Sequence, residues 1–125
     1  MKKLSLPSRL YILATIFAGA AFVAWHLGQL DGASLWSLLA VSGLAALAQV
    51  PKVEGPTERS SYNISWVVYG FVFVLFGPSA AVVVILISHL VEWAWYQYAW
   101  YIQAFNIATF ALCTSLAGIV YGWIA

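Results

Sequence analysis

Long apolar stretches separated by short polar breaks run along most of the chain. A helix needs about 20 predominantly apolar residues to cross a bilayer. Five stretches approach that requirement: residues 10–27, 35–50, 62–76, 80–96 and 102–124. A polar loop at residues 51–61 separates the second stretch from the third. The pattern therefore predicts an all-α fold, a polytopic transmembrane helical bundle with about five spans.

The third of these stretches, residues 62–76, is the shortest. As a helix it would reach only roughly 22 Å, which is less than the hydrocarbon thickness of about 30 Å. Gly77-Pro78 follows directly, and this pair of residues interrupts helices. We expect the third span to be short or partly re-entrant, with a break at Gly77-Pro78.

Composition agrees with a lipid-embedded chain. Hydrophobic residues make up 64% of the 125 residues and charged residues 7%, whereas soluble domains carry about 25% charged residues. The net charge of +1 does not suit a nucleic-acid partner, which calls for a dense basic patch. We therefore predict one transmembrane domain over residues 1–125, with the lipid bilayer as its main partner.

The positions of the basic residues predict the orientation in the membrane. With a cytoplasmic N-terminus, the inner face receives Lys2, Lys3, Arg9, Lys52 and Arg59, and the outer loops receive no Lys or Arg. This distribution satisfies the positive-inside rule. We predict a multi-pass protein of the inner (plasma) membrane, with its N-terminus in the cytoplasm and its C-terminus outside.

Ionisable side chains inside the predicted spans are His26, His89 and Glu92. A charged group within a membrane helix is costly, which makes such residues functional candidates. Glu92 lies about one turn from the predicted end of its span, and His89 lies on the same helix face at spacing i, i+3. The pair is compatible with a proton-responsive site, a polar ligand contact or an interhelical hydrogen bond.

Amides at the start of the last span extend this candidate site. Gln103 and Asn106 fall near the same membrane face as Glu92, and aromatic residues crowd the connection between the two spans. Membrane helices also use amides simply to bind one another. The hypothesis of a ligand-binding pocket at the inner leaflet names six residues: His89, Glu92, Gln103, Asn106, Trp93 and Tyr96.

A second hypothesis concerns the histidines. A neutral imidazole facing a flat apolar slot can serve as the axial ligand of a haem or a chlorophyll-type pigment. His26 follows the small residues Gly19, Ala20 and Ala24, which suit a macrocycle and equally suit close helix packing. His26 and His89 are the candidate cofactor ligands in this reading.

Motifs of catalytic chemistry are absent from the sequence. There is no HExxH, no paired-cysteine motif, no Gly-rich phosphate loop and no Ser-centred nucleophile elbow. We therefore predict that the chain is not an enzyme and has no metal site of its own.

The second half of the chain resembles a known family. Its motifs are Phe76-Gly77-Pro78, Trp100-Tyr101, Phe105-Asn106 and Leu116-Ala117-Gly118. Over about half the chain they are similar to the N-terminal multi-span membrane domain of bacterial HD-type phosphohydrolase and diguanylate cyclase signalling proteins. The resemblance implies a sensory or anchoring module without catalytic residues. In contrast to that family, this chain ends after the fifth predicted span.

Three functions follow as hypotheses. The first is a non-enzymatic sensory, ligand-binding or anchoring membrane module, which acts through partner subunits or as a homo-oligomer. The second is an accessory subunit of a pigment- or haem-binding membrane complex. The third is a small dimeric transporter with Glu92 as its coupling carboxylate, which would have to lie near the middle of the membrane.

Overall fold

The computed structural model describes residues 1, 4–30, 35–54 and 61–125. Helices dominate this part of the chain, and the prediction of an all-α fold is confirmed. A two-residue strand β1 pairs antiparallel with a two-residue strand β2. The elements in chain order are α1 (Leu6–Gly28), α2 (Leu35–Gln49), β1 (Val53–Glu54), β2 (Ser61–Tyr62), α3 (Ser65–Tyr96) and α4 (Trp100–Ile124).

Helix α3 reverses direction at Gly77. This residue has φ 86° and ψ 175°, a backbone conformation that is essentially restricted to glycine. The hydroxyl oxygens of Tyr69 and Ser88 lie 2.6 Å apart, although an uninterrupted helix would separate these residues by roughly 28 Å. Thus α3 is a helical hairpin, with a first arm at residues 65–76 and a second arm at residues 78–96.

The prediction of five separate spans is not supported. Among the described residues, three helices are long and apolar enough to cross a membrane, namely α1, α3 and α4. Helix α2 has only 15 residues, and the stretches predicted as spans three and four belong to the single element α3. The predicted break at Gly77-Pro78 coincides with the reversal inside that element.

The helices bring five chain segments together at one end of the bundle. Gln49 at the end of α2 is hydrogen-bonded to Glu92 in the second arm of α3, and the rings of Tyr11 and Phe105 lie 5.8 Å apart. The start of α1, the end of α2, both ends of α3 and the start of α4 thus form what we call the Glu92 end. The reversal of α3 lies at the opposite end, the Gly77 end.

Of the Lys and Arg residues that the structure describes, Arg9 and Lys52 both lie at the Glu92 end. Arg9 belongs to the first turn of α1, and Lys52 forms an ion pair with Glu92. Lys2, Lys3 and Arg59 fall outside the described residues. The structure therefore locates two of the five basic residues on which the predicted orientation is based. Those two lie on the same side of the bundle.

The buried apolar core lies between α2 and the two arms of α3. Its members are small or β-branched, which lets the three helical segments approach closely. They are Ala45, Val72, Ala80, Ala81, Val84 and Ile85, together with the ring of Tyr69. Large apolar side chains such as Phe17, Trp36 and Val74 point outward, as lipid-facing residues do.

Helices α1 and α4 make a second close contact. Gly19 of α1 faces Ala108 of α4, and a β-carbon added at Gly19 would lie 2.3 Å from the β-carbon of Ala108. That distance is far below van der Waals contact. The two helices therefore depend on the absence of a side chain at Gly19.

We predict that Gly77→Ala destabilises the hairpin by about 1–3 kcal/mol, because alanine is strained at this positive φ. Thermal unfolding of the protein in lipid nanodiscs measures the effect. The matched control is Gly70→Ala in the first arm, where an added β-carbon meets nothing within 4 Å. Equal stability of the two variants would contradict the reversal at Gly77.

We predict that Gly19→Ala separates α1 from α4 and lowers the unfolding free energy by about 1–3 kcal/mol, the usual cost of overpacking. Gly43→Ala in α2 is the control, because open space surrounds Gly43 and alanine favours the helix. Hydrogen exchange should rise at the facing segments of α1 and α4 in the first variant alone. Unchanged exchange in both helices would show that they do not meet at Gly19.

Candidate functional site

The carboxylate of Glu92 is the centre of a buried polar cluster at the Glu92 end. Its side chain is only 3% exposed. Lys52 Nζ lies 2.5 Å from Oε1. Around Oε2, the amide nitrogens of Gln49 and Gln103 donate at 2.7 and 3.1 Å, and His89 Nδ1 lies at 3.2 Å. One carboxylate therefore joins α2, the connection after it, the second arm of α3 and α4.

A second set of hydrogen bonds orients Gln49. Its carbonyl oxygen accepts hydrogen bonds from the hydroxyls of Ser65 and Tyr69, the latter at 3.1 Å. Because hydroxyl donors occupy the oxygen, the amide nitrogen of Gln49 is turned towards Glu92. The first arm of α3, which carries Ser65 and Tyr69, is thus linked to the carboxylate through Gln49.

Lys52 closes the cluster on its more accessible side. Its side chain is 19% exposed, and its ammonium group is also 2.5 Å from the hydroxyl of Tyr98. Burial alone would lower the pKa of Lys52, but the hydrogen bonds to Glu92 and Tyr98 and the negative charge of Glu92 outweigh it and raise that pKa. The ammonium group is therefore charged throughout the physiological pH range.

His89 uses only one side of its ring in the cluster. Nδ1 contacts Glu92 and the Gln103 amide, whereas Nε2 is buried without a hydrogen-bond partner in the described part of the chain. The same holds for the Oε1 atom of Gln103. The ring lies between Phe110, at 5.2 Å between centroids, and Tyr69, at 6.3 Å. The cluster thus retains unused hydrogen-bonding capacity beside an aromatic wall.

The structure brings together three of the six residues that the sequence nominates, namely His89, Glu92 and Gln103. Trp93 and Tyr96 lie at the rim and donate hydrogen bonds to backbone oxygens. Trp93 Nε1 donates to the backbone oxygen of Tyr98 at 2.8 Å. Tyr96 Oη donates to the backbone oxygen of the residue that follows α2 at 2.6 Å. Their role in binding a ligand stays a prediction.

Asn106, the sixth nominated residue, lies outside both the cluster and its rim. It is half-buried one turn along α4 from Gln103, and its side chain forms no hydrogen bond with another described residue. The spacing i, i+3 placed both amides on nearby faces, but the helix directs only Gln103 towards Glu92. We therefore leave Asn106 out of the site.

Sequence reasoning missed several members of the cluster: Gln49, Lys52, Ser65, Tyr69 and Tyr98. Gln49 carried a usable signal, because an amide within an apolar run requires a hydrogen-bond partner. Lys52 carried none, since a lysine in a charged loop usually faces water. Tyr69 carried no usable signal either, because residue types alone do not say which side chains of the segments before and after Gly77-Pro78 face each other.

His26 lies in a separate cluster nearer the Gly77 end. Its Nδ1 is 2.9 Å from the hydroxyl of Ser79, and its Nε2 is 2.9 Å from the hydroxyl of Ser115. Ser115 donates its own proton to the backbone oxygen of Ala111 at 2.7 Å. Nε2 therefore donates to Ser115 and Nδ1 accepts from Ser79, which leaves neither nitrogen free for an axial ligand bond in this arrangement.

The small residues before His26 line a shallow apolar groove of about 280 Å³ between α1 and α4. Gly19, Ala20 and Ala24 form one side of it and Ala108 lies on the other. His26 is not among the lining residues. The groove thus lacks the imidazole that a haem or chlorophyll-type pigment would need, and Gly19 serves close helix packing.

The transporter hypothesis places its coupling carboxylate near the middle of the membrane. Glu92 instead lies one turn from Tyr96, where α3 ends. The carboxylate is also fully paired with the residues of the cluster. Neither observation favours transport.

Comparison of the chain with protein-family models, with curated proteins and with solved structures finds no match. The resemblance to the membrane domains of signalling proteins therefore stays a prediction from short motifs. The arrangement of the Glu92 cluster is the ground on which a function can be proposed.

We predict that Lys52→Met lowers the unfolding free energy by about 3–5 kcal/mol, because it leaves the buried Glu92 carboxylate without a cation. Adding Glu92→Gln to this variant should restore part of the loss, since a neutral amide needs no counter-charge. Unfolding of the single and double variants in nanodiscs measures the coupling. Strictly additive effects would mean that the two groups do not interact.

Proposed function

We propose that the chain is a non-enzymatic sensory module of a membrane, which binds a small ligand at the Glu92 cluster and acts on a partner subunit or a second copy. One observation supports this most directly. Four chain segments meet at the single carboxylate of Glu92. A ligand that takes over the contact of Gln49, Lys52 or Gln103 loosens the segment that provided it.

The cluster has the energetic properties that a sensor needs. Each hydrogen bond to an ionised group contributes about 1.5–3 kcal/mol, which is comparable to the 1–3 kcal/mol of a typical coupling between two sites. Exchanging one partner of Glu92 therefore changes the free energy enough to shift an equilibrium between two arrangements of the helices. The unpartnered atoms His89 Nε2 and Gln103 Oε1 offer further contacts for a bound molecule.

One feature of the Glu92 cluster supports a binding role over a catalytic one. Nucleophilic catalysis needs a hydroxyl or thiol within hydrogen-bond reach of a base. In the described part of the chain, the hydrogen-bond partners of the His89 ring are Gln49, Glu92 and Gln103. None of these is a nucleophile of that kind.

The proposed setting is the inner membrane of a bacterium, with the N-terminus and the Glu92 end towards the cytoplasm. Arg9 and Lys52 at that end support this orientation through the positive-inside rule. Helix α4 begins at the Glu92 end and runs away from it, so the C-terminus would lie outside. The resemblance to membrane domains of signalling proteins agrees with a sensory role.

Cys113 provides a reporter for this function. It is the single cysteine of the sequence and is exposed on α4, so an environment-sensitive fluorophore can be attached there without further mutation. Small-molecule fractions of the native host are added to labelled protein in nanodiscs. Energy transfer between copies that carry donor and acceptor dyes reports self-association in the same samples.

We predict a saturable change in emission or energy transfer for the wild type, weakened at least about tenfold in Glu92→Gln because a charge-assisted contact is lost. Thr109→Val is the matched control, since Thr109 is exposed on α4 and bonds only to its own helix at Phe105. Circular dichroism verifies that both variants retain their helices. A folded Glu92→Gln variant that responds like the wild type would refute the proposed site.

A further inference from the structure

The ammonium group of Lys52 lies in a well-defined recess. Two oxygen acceptors, Glu92 Oε1 and Tyr98 Oη, each lie 2.5 Å from Nζ. The ring centroids of Tyr96 and Tyr98 lie 4.9 and 4.7 Å from the same atom. A carboxylate, a hydroxyl and two aromatic faces are the groups that proteins use to bind organic ammonium ions.

The walls of this recess are held independently of Lys52. Three hydrogen bonds to backbone oxygens fix them: Tyr96 Oη to Val50 at 2.6 Å, Trp93 Nε1 to Tyr98 at 2.8 Å, and the Gln97 N–H to Trp93 at 2.8 Å. The rings of Tyr96 and Tyr98 also stack, with an angle of 11° between their planes. Glu92 keeps its contacts to α2 and α4. The site is therefore pre-formed around whichever cation it contains.

Lys52, by contrast, comes from a weakly held segment. It follows the end of α2 and precedes β1, whose pairing with β2 extends over two residues only. Its side chain is partly exposed, whereas Glu92 is buried. The lysine can therefore leave at a much smaller structural cost than any of the walls.

We propose that Glu92, Tyr96 and Tyr98 form a binding site for a primary ammonium group, that Lys52 fills it as a tethered occupant, and that an ammonium group from outside the chain displaces Lys52. This inference rests on the proposed function, because it names the class of ligand that the Glu92 cluster binds. Displacement removes the Lys52–Glu92 ion pair between the connection after α2 and the second arm of α3 and leaves the Tyr96–Val50 hydrogen bond in place, which weakens how these segments are held together.

The two short contacts define the preferred ligand. Both Glu92 Oε1 and Tyr98 Oη need an N–H donor, which a primary ammonium provides and a quaternary ammonium does not. The methyl groups of a quaternary ion would also hold its nitrogen farther from both oxygens. A primary ammonium of this kind occurs in free amines and in ethanolamine headgroups of phospholipids. The partial exposure of the Lys52 side chain shows that the recess opens to the surface of the bundle.

The first experiment removes the tethered occupant. Lys52→Ala is placed in phosphatidylcholine nanodiscs and its thermal midpoint is followed during titration with methylammonium or tetramethylammonium. We expect saturable stabilisation by methylammonium, with an affinity at least about tenfold higher than that of tetramethylammonium, as one lost hydrogen bond to a charged group implies. The double variant Lys52→Ala/Glu92→Gln should show no such stabilisation.

A second experiment distinguishes the source of the ammonium group. Lys52→Ala in nanodiscs that contain phosphatidylethanolamine should be more stable than in pure phosphatidylcholine if the headgroup is the ligand. In that case added methylammonium should have little further effect. Stabilisation by methylammonium alone would identify a free amine instead, and either result supports the site.

A third measurement uses the wild type, so the test survives if Lys52→Ala does not fold. With ¹⁵N-labelled lysine, the hydrogen-bonded ammonium of Lys52 should give a distinct resonance, which is assigned by its loss in Lys52→Arg. Because a tethered group has an effective concentration in the millimolar range, methylammonium well above that level should shift this resonance to the position of exposed lysines. Tetramethylammonium at equal ionic strength should not.

The proposal is overturned if methylammonium and phosphatidylethanolamine neither stabilise Lys52→Ala nor move the Lys52 resonance in the wild type. Should the Cys113 reporter nevertheless reveal a response that depends on Glu92, only the ligand class would be wrong. Conversely, ammonium binding without any change at Cys113 or in self-association would retain the site and remove its sensory role.

Discussion

A carboxylate placed inside a membrane bundle must obtain from the protein the hydrogen bonds and the positive charge that water would supply. Glu92 obtains them from Gln49, Lys52, His89 and Gln103. These partners come from different chain segments, and each segment is therefore positioned by the need to satisfy one charged group. Apolar packing fits the helices together, although in lipid no hydrophobic driving force acts between them. The carboxylate adds a polar requirement that further restricts the arrangement.

The reversal of α3 at Gly77 makes this arrangement possible. It returns the second arm to the end at which the first arm began, so that Tyr69 and Ser88 meet across the hairpin. Without it, Glu92 and Ser65 would lie at opposite ends of a long helix. A single residue with a left-handed backbone thus decides which polar side chains become neighbours, and the small core residues Ala80 and Ala81 let the arms approach.

Much of the fold could be predicted from the sequence, because apolar length and breaker residues act locally. The helices, the break at Gly77-Pro78 and the pair His89–Glu92 all follow from such patterns. The number of spans could not, since length alone does not say that residues 62–76 and 80–96 form the arms of one element. The partners Gln49 and Lys52 escaped prediction for a related reason. Their role depends on contacts between residues about 40 positions apart, which periodicity does not record.

Helix α1 is held mainly through α4 rather than through the core between α2 and α3. His26 bonds to Ser115, and Gly19 fits against Ala108, so α1 is completed largely by the last helix of the chain. During synthesis α2 and α3 can assemble around their own core as soon as they enter the membrane. Helix α1 lacks its main helical partner until α4 has also been made. The order of these helices along the chain therefore differs from the order in which they can pack against one another.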